Sequence, residues 1–454
     1  MAKVAGMTPQ LVIRSYLVIS GLFTLSASII WGVNTLFLLN AGLDIFEVFI
    51  ANAAWTAGMV VFEIPTGLLA DTRGRRASFL LSVSVLGVGT LAYVGIAAIE
   101  GGVILFAIVS VVLGLGYTFY SGAVEAWVVD ALHATKYRGD LDRVFARAGV
   151  ISGAAMLTGT IGGGLLGTLD LSWPYVTRAV LLFGAFAVAW GTMKDLGFTP
   201  RTMQTNAIAR EMRGVARASV KFGWRQPSVR LIMLASFVQF GVFAWAFYAW
   251  QPYLLELLGR NLIWVAGLFA SLIALMQIVG SSIVGKIAKP GGRRTSIMLA
   301  AAVGIAVAFA GMGLTDNFWL AGGLFLAATL VASVAGPVKQ AYLHQKIPSA
   351  QRATVVSFDS LFGSLGSVFT QTGLGYLSRA RSIAIAFVVS GVYATVAIPI
   401  TSGIRRLRER ADRIAGRGVE DGGPVKKVPR AKKAPRKAVK TASAARKRGA
   451  KSRV

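Results

Sequence analysis

Eight ionisable residues lie inside long apolar stretches of this 454-residue sequence, where a charge is costly and usually serves a function. They are Glu63, Glu125, Asp130, Arg147, Arg178, Lys339, His344 and Asp359. Carboxyl and amino groups in such surroundings can carry protons, form ion pairs or hold a charged ligand. The sequence has no cysteine and two histidines, so thiolate chemistry is excluded and a multi-histidine metal site is not expected.

Glu125 and Lys339 are the leading candidates for proton coupling. They align when the sequence is compared with itself at a shift of 214 positions, which gives them equivalent places in two related parts of the chain. A carboxyl group that is removed from water takes up a proton more readily, and a nearby ammonium opposes this. We therefore predict that Glu125 carries the proton and Lys339 tunes it, with Glu63 and Asp359 as further candidates. A structural ion pair between Glu125 and Lys339 is the alternative.

Twelve apolar stretches are long enough to place these residues inside a bilayer, because a helix needs roughly 20 apolar residues to cross one. Hydrophobic residues make up 55% of the chain, which is high for a soluble protein. The stretches lie near residues 16–39, 46–70, 77–99, 102–131, 145–169, 174–194, 230–257, 262–288, 295–315, 318–344, 353–377 and 382–403.

The turn between the second and third stretches carries a distinctive pattern of seven residues. They are Gly67, Leu69, Ala70, Asp71, Gly74, Arg75 and Arg76. This spacing closely resembles the signature loop of the major facilitator superfamily, Gly-x-Leu-Ala-Asp-x-x-Gly-Arg-Arg. The resemblance covers about residues 10–403. It implies an all-α membrane protein with twelve transmembrane helices in two six-helix halves, which moves a small molecule, is not an enzyme and needs no cofactor.

The resemblance also implies a conformational latch. Its members would be Gly67, Asp71, Gly74, Arg75, Arg76 and Asp130. Asp71 would lie at the N-terminal end of the eleventh helix, where negative charge is favourable, and Arg75 would pair with Asp130. These contacts would stabilise the outward-open state. Local structure within the loop is the alternative explanation for the same residues.

The signature turn recurs in degraded form later in the chain. Gly67, Gly74, Arg75 and Arg76 return as Gly285, Gly292, Arg293 and Arg294 at a constant shift of 218 positions. Two related halves are the architecture that this repeat predicts. The expected boundaries are an N-terminal bundle at 1–195, a cytoplasmic central loop at 196–229, a C-terminal bundle at 230–403 and a disordered, basic cytoplasmic tail at 404–454.

The distribution of basic residues predicts the orientation. The turns that carry arginine and lysine alternate with turns that carry mostly acidic residues, so both termini are expected in the cytoplasm of a bacterium, with the chain in the inner membrane. The net charge of +28 makes anionic lipid the expected partner of the basic loops and tail. Nucleic acid is not expected, because the tail lacks aromatic residues that could stack on bases. We expect a monomer.

Polar and aromatic residues of the first and seventh stretches predict the substrate cavity. They are Asn34, Thr35, Gln239, Trp245, Tyr248 and Gln251. An aromatic belt at the membrane interface explains part of the seventh stretch equally well. Arg178 leaves two interpretations open, an interfacial anchor or a contact with an anion.

These features predict a secondary transporter that works by alternating access, with proton-coupled export of an amphiphilic compound as the leading hypothesis. The fifth stretch resembles an antiporter element through Gly159, Gly163 and Gly164, but Thr160 replaces its proline and leaves the export direction open. Uptake or facilitated diffusion of a metabolite is one alternative. A membrane anchor that transports nothing, with a basic tail that binds lipid or nucleic acid, is the other.

Overall fold

The apolar stretches fold as α-helices in the computed structural model, which describes residues 7–198, 217, 219–260, 262–348 and 351–414. Helix ends show ordinary capping chemistry: Asp44 and Glu47 form a capping box where one helix begins, and Gly74, with a φ of 101°, ends it. The helices are α1 (Pro9–Ser28), α2 (Asn34–Asn40), α3 (Ile45–Arg73), α4 (Arg75–Ala98), α5 (Gly102–Tyr120), α6 (Ala123–Ala134), α7 (Leu141–Leu169), α8 (Trp173–Thr192), α9 (Pro227–Leu258), α10 (Ile263–Ile287), α11 (Arg294–Gly313), α12 (Phe318–Lys346), α13 (Arg352–Ala380), α14 (Ile383–Ala394) and α15 (Ala397–Arg406).

Three of the twelve predicted spans consist of two helices each. A non-helical turn separates α1 from α2, Gly122 with a φ of 71° separates α5 from α6, and a short turn separates α14 from α15. Within the described ranges, 11 spans are long and apolar enough to cross a membrane. The remaining predicted span is α13, which is 29 residues long but richer in serine and threonine. The prediction of an all-α membrane protein is confirmed.

The helices form two groups with apolar cores, and Phe49 of α3 reaches into the core of the C-terminal group. The N-terminal half (α1–α8) is built around side chains such as Phe79, Trp127 and Leu182. The C-terminal half (α9–α15) packs around Phe309 and Phe387 among others. The halves meet mainly where α3 packs on α13 and where α7 packs on α10.

The two ends of this bundle are named below by their loops. The turn end holds the loops at residues 74, 135–140 and 288–293, and the far end holds those at residues 41–44, 99–101, 170–172, 314–317 and 381–382. Helices α3, α8, α10 and α12 run from the far end to the turn end, and α4, α7 and α13 run the opposite way.

Residues 404–414, which the sequence assigned to the tail, are folded against the C-terminal half. Arg294 Nη1 donates to the carbonyl oxygen of Ala411 at 2.7 Å. Asp412 Oδ1 accepts a hydrogen bond from the Thr295 N–H at 2.8 Å, at the beginning of α11. The predicted start of the tail at residue 404 is therefore too early, because polar groups of the second signature turn bind this segment. The rest of the predicted tail lies outside the described residues.

The N-terminal half contains an equivalent cap. Asp195 follows α8, and its Oδ1 accepts a hydrogen bond from the Arg76 N–H at 2.8 Å where α4 begins. Asp195 and Asp412 thus occupy corresponding places in the two halves, each with its negative charge at the N-terminal end of a helix, where it is favourable. In each half, the segment after the last helix is hydrogen-bonded to the N-terminal end of the helix that follows the signature turn or its repeat.

Replacement of Asp412 by alanine is expected to destabilise the C-terminal half by about 0.5–2 kcal/mol, the usual cost of losing a helix cap. The midpoint of thermal unfolding of the purified protein in detergent should fall, and it should fall for Asp195→Ala too. A chain that ends after Ile414 keeps the cap and serves as the control, with an unfolding midpoint equal to that of the full chain. An unchanged midpoint for Asp412→Ala would show that residues 404–414 do not hold this half together.

Candidate functional site

A cavity of about 670 Å³ lies between the two halves. Its size is within the range of about 300–1,000 Å³ that is common for small-molecule sites. Both halves supply its walls, which are mainly aromatic and apolar and include Trp31, Trp55, Phe243 and Tyr248. Such walls suit an amphiphilic ligand.

Arg178 on α8 is the one charged side chain that lines this cavity among the described residues. Its Nε donates to Thr90 Oγ1 at 3.2 Å, and the Thr90 hydroxyl itself donates to the Leu86 carbonyl oxygen at 2.6 Å. None of the ion pairs in the described part of the chain involves Arg178. The structure therefore places Arg178 in the cavity wall, where the sequence had left an anchor or an anion contact open.

Neutral polar side chains of the cavity wall form a hydrogen-bonded chain. Tyr175 Oη donates to Asn34 Oδ1 at 2.9 Å, and Asn34 Nδ2 donates to Asn52 Oδ1 at 3.0 Å. Asn52 Nδ2 in turn donates to the Val48 carbonyl oxygen at 2.9 Å. Tyr175 and Asn52 were missed from the sequence, although an asparagine within an apolar stretch was an available signal.

Gln251 closes the far end of the cavity by binding the break between α1 and α2. Its Oε1 accepts a hydrogen bond from the Thr35 N–H at 2.9 Å, and its Nε2 donates to the Trp31 carbonyl oxygen at 2.8 Å. Thr35 Oγ1 also donates to the Tyr248 carbonyl oxygen at 2.8 Å. Backbone groups that the broken helix leaves unsatisfied are thus satisfied by the other half.

A charged and aromatic contact joins the halves at the same end. Arg379 Nη1 lies 3.2 Å from Asp44 Oδ2, and the Arg379 guanidinium lies 4.7 Å from the centroid of the Phe46 ring. Both side chains of the ion pair are partly exposed, so this pair contributes little by itself. Together with the Gln251 contacts, it keeps the far end shut.

Helices α7 and α10 cross at glycines on the far side of the cavity. A Cβ atom on Gly267 would lie 2.5 Å from Gly164 Cα and 2.7 Å from the Thr160 carbonyl oxygen. These distances are too short for any side chain, so the crossing requires glycine at both positions. The glycine-rich part of the fifth span therefore brings the two halves into contact in this conformation.

The turn side of the cavity is open. Ser281 on α10 and Pro337 on α12 line the cavity and are exposed, and both lie in the parts of their helices that approach the turn end. On α3, Gly67 is also exposed, and a Cβ atom placed there would meet no atom within 4 Å. The structure is thus a conformation in which the cavity is reached from the turn end.

Four residues that the sequence assigned to the cavity do not line it in this conformation. Thr35, Trp245 and Gln251 are each 0% exposed and lie in or next to the contact between the halves, and Gln239 also lies outside the lining. Gln251 is turned toward the helix break. Trp245 packs on Phe49, and the centroids of the two rings lie 5.9 Å apart. Asn34 and Tyr248 do line the cavity.

Lys339 pairs with Asp359 and not with Glu125. Lys339 Nζ lies 2.8 Å from Asp359 Oδ2 and donates to Ser236 Oγ at 2.8 Å, and the Ser236 hydroxyl donates to Asp359 Oδ1 at 2.6 Å. Asp359 is 2% exposed, whereas the Lys339 side chain is 23% exposed. Three helices of the C-terminal half, α9, α12 and α13, therefore hold one ion pair with both carboxylate oxygens bonded.

Glu63 and Glu125 are exposed on the turn side of the N-terminal half. Their predicted role in proton coupling stays a prediction. The predicted contact of Glu125 with Lys339 is wrong for this conformation, because Lys339 is bound within its own half.

The described contacts of Arg75 and Arg76 in the signature turn lie within the N-terminal half. Arg75 Nη1 lies 2.8 Å from Asp71 Oδ1. Arg76 Nη2 donates to the Trp190 carbonyl oxygen at 2.9 Å, and its guanidinium lies 4.9 Å from the centroid of the Trp190 ring. The predicted pair of Arg75 with Asp130 is not formed in this conformation, where Arg75 binds Asp71 instead, and the latch stays a prediction.

Comparisons with known proteins agree with this architecture. The model of the Major Facilitator Superfamily matches residues 16–371. The uncharacterized MFS-type transporter YxaM of Bacillus subtilis (strain 168) is 22% identical over 390 residues, which are 82% of this chain and 91% of that protein. A crystal structure of the nucleoside transporter NupG matches with a TM-score of 0.71 and 9% identity, and covers 87% of this chain and 99% of that chain.

A crystal structure of the peptide transporter POT in complex with sulfate gives a TM-score of 0.71 with 15% identity, over 88% of this chain and 96% of that chain. At these identities, the solved structures show the fold alone. The family model covers most of the chain and agrees with the signature turn and the helical architecture. The chain therefore belongs to the major facilitator superfamily and is a membrane transporter, not an enzyme.

Proposed function

We propose that this protein exports a small amphiphilic compound across the bacterial inner membrane in exchange for protons. Transport proceeds by rocking of two halves, residues 1–195 and 230–403, so that the cavity opens to one side at a time. One observation carries the proposal: the cavity lies between the halves, is shut at the far end by Gln251 and is open at the turn end.

We assign the turn end, with both termini, to the cytoplasm, because the basic residues of the loops are concentrated toward that end. An amphiphilic compound then enters from the cytoplasm or from the inner leaflet. Rocking breaks the contacts of the far end and releases the compound outside. The cavity lies within one chain, so we propose that a monomer is sufficient and that anionic lipids bind the basic loops at the turn end.

We place proton coupling at Asp359, with Lys339 as its counter-ion, in preference to Glu125. Asp359 is buried, and its ion pair with Lys339 joins α9, α12 and α13 through the shared contacts of Ser236. A proton that enters from outside binds the Asp359 carboxylate and removes the charge that holds the Lys339 ammonium. When the cavity faces the cytoplasm, the proton leaves and the ion pair forms again, as in the conformation described above.

Transport in proteoliposomes tests the proposal. The probes are fluorescent amphiphiles with negative, zero and positive net charge, and the vesicle interior is made acidic relative to the exterior. The parent protein should accumulate at least one probe well above the level in empty liposomes. Asp359→Asn, which keeps the shape but removes the ionisable group, should reduce this pH-driven accumulation by at least tenfold while exchange of the same probe continues.

Asp316→Asn is the matched control, because Asp316 is an exposed carboxylate in a loop of the same half. It should transport as the parent does. Failure of every probe to move faster than in empty liposomes would contradict a transport function. Unimpaired pH-driven accumulation by Asp359→Asn would move the coupling site to Glu125 or Glu63.

A further inference from the structure

We infer that the compound that this cavity binds is an aromatic anion, held by Arg178 through its carboxylate or a comparable acidic group. The inference rests on the proposed transport function and adds the chemical class of the substrate. It depends on the position of one cation in an otherwise uncharged cavity.

Arg178 gives the cavity its only formal charge among the described residues, since the lining contains no aspartate, glutamate or lysine. A cation inside a membrane protein normally pairs with an acid of the protein or serves a function. Arg178 pairs with no acid in the part of the chain that the structure describes, and of its five N–H donors one is used there in a hydrogen bond, to Thr90. The remaining donors form the planar fork that matches a carboxylate or phosphate.

The polar groups near Arg178 are already satisfied by one another. The Tyr93 hydroxyl is bonded to Ser110 Oγ, and the Tyr175 hydroxyl donates to Asn34. These tyrosines are 5% and 2% exposed, so they shape the wall more than they offer free acceptors. The guanidinium is therefore the uncompensated donor of this group, whereas Gln371 Oε1, which is also in the lining and has no partner among the described residues, is an acceptor.

The rest of the wall suits the body of an aromatic molecule. Trp31, Trp55, Phe243, Phe247 and Tyr248 line the same cavity. Arg178 lies about one and a half turns from the far end of α8, on the side that the contacts of Gln251 close. An anion would thus enter with its acidic group toward the shut end and its aromatic part between the two halves.

Binding of matched acid and amide pairs tests the inference without transport. The probes are benzoate, 2-naphthoate and 9-anthracenecarboxylate, each compared with its own carboxamide, which has nearly the same shape and no charge. Affinities are measured with purified full-length protein in nanodiscs. At least one acid should bind about 10- to 100-fold more tightly than its amide, the range expected for a hydrogen bond to a charged group.

Arg178→Gln should remove this preference for the acid, and Arg178→Lys should keep part of it because the charge is retained. Arg147→Gln is the control, since Arg147 is an exposed arginine of the same half that lies outside the cavity lining, and it should bind as the parent does. Equal binding of acids and amides, absence of binding by every acid, or an acid preference that survives in Arg178→Gln would overturn the inference. Transport of a neutral or cationic probe alongside any of these results would leave the proposed transport function standing.

Discussion

Replacement of Gly267 by valine should force the protein out of the conformation that is open at the turn end. The new side chain would overlap the backbone of α7, because a Cβ atom alone already comes within 2.5 Å of Gly164 Cα. Overpacking of this kind costs about 1–3 kcal/mol. That shifts the ratio of the two conformations about 5- to 150-fold toward the state in which this crossing is open.

Labelling of a single cysteine measures the shift directly, because the chain has no cysteine of its own. Met59 lines the cavity, so Met59→Cys reports which side of the membrane reaches it. In the Gly267→Val background, a membrane-impermeant thiol reagent added at the far side should label this position many-fold faster than in the parent. Gly285→Val is the matched control on the same helix, since a Cβ atom at Gly285 meets no atom within 4 Å. Equal labelling of the two variants would remove the α7–α10 crossing from the mechanism.

Replacement of Lys339 by methionine should destabilise the folded protein by about 3–5 kcal/mol, the usual cost of leaving one member of a buried ion pair without its partner. Asp359 is 2% exposed, so its carboxylate would have to stay buried with Ser236 alone or take up a proton. The double variant Lys339→Met/Asp359→Leu removes both charges and should recover most of the lost stability, because apolar residues can replace such pairs at little cost.

Thermal unfolding of the parent, the two single variants and the double variant in detergent measures this coupling. Recovered stability should not restore pH-driven transport, because the ionisable group is absent from the double variant. If the double variant is no more stable than either single variant, the two residues do not act as a pair. If it transports against a gradient as the parent does, the pair has a structural role only.

The sequence predicted the fold because the signature turn is local. Gly67, Asp71, Gly74 and Arg75 lie within nine residues, so their spacing can be read without knowing how the chain folds. The residues that line the cavity were predicted less well, because whether a residue lines it depends on the direction in which its side chain points. Gln251 and Tyr248 are neighbours on α9, yet Tyr248 lines the cavity while the break in the first span turns Gln251 into an inter-half contact.

The partner of Lys339 shows a different limit. A shift of 214 positions predicts that Glu125 and Lys339 are equivalent residues of two repeats, but equivalence is not contact. Pseudo-symmetry would put the two residues in corresponding places of separate halves, whereas an ion pair needs its charged atoms within about 4 Å of each other. Asp359, which lies on a neighbouring helix of the same half, meets that condition.

The central claim is that the two halves rock about the cavity, and distances at both ends of the bundle test it most directly. Spin labels attached through Asn40→Cys and Ala380→Cys report on the far end, and labels attached through Ala146→Cys and Lys286→Cys report on the turn end. All four residues are exposed. In nanodiscs, Gly267→Val should lengthen the far-end distance and shorten the turn-end distance relative to Gly285→Val. Distances that stay unchanged, or that change in the same direction at both ends, would contradict alternating access.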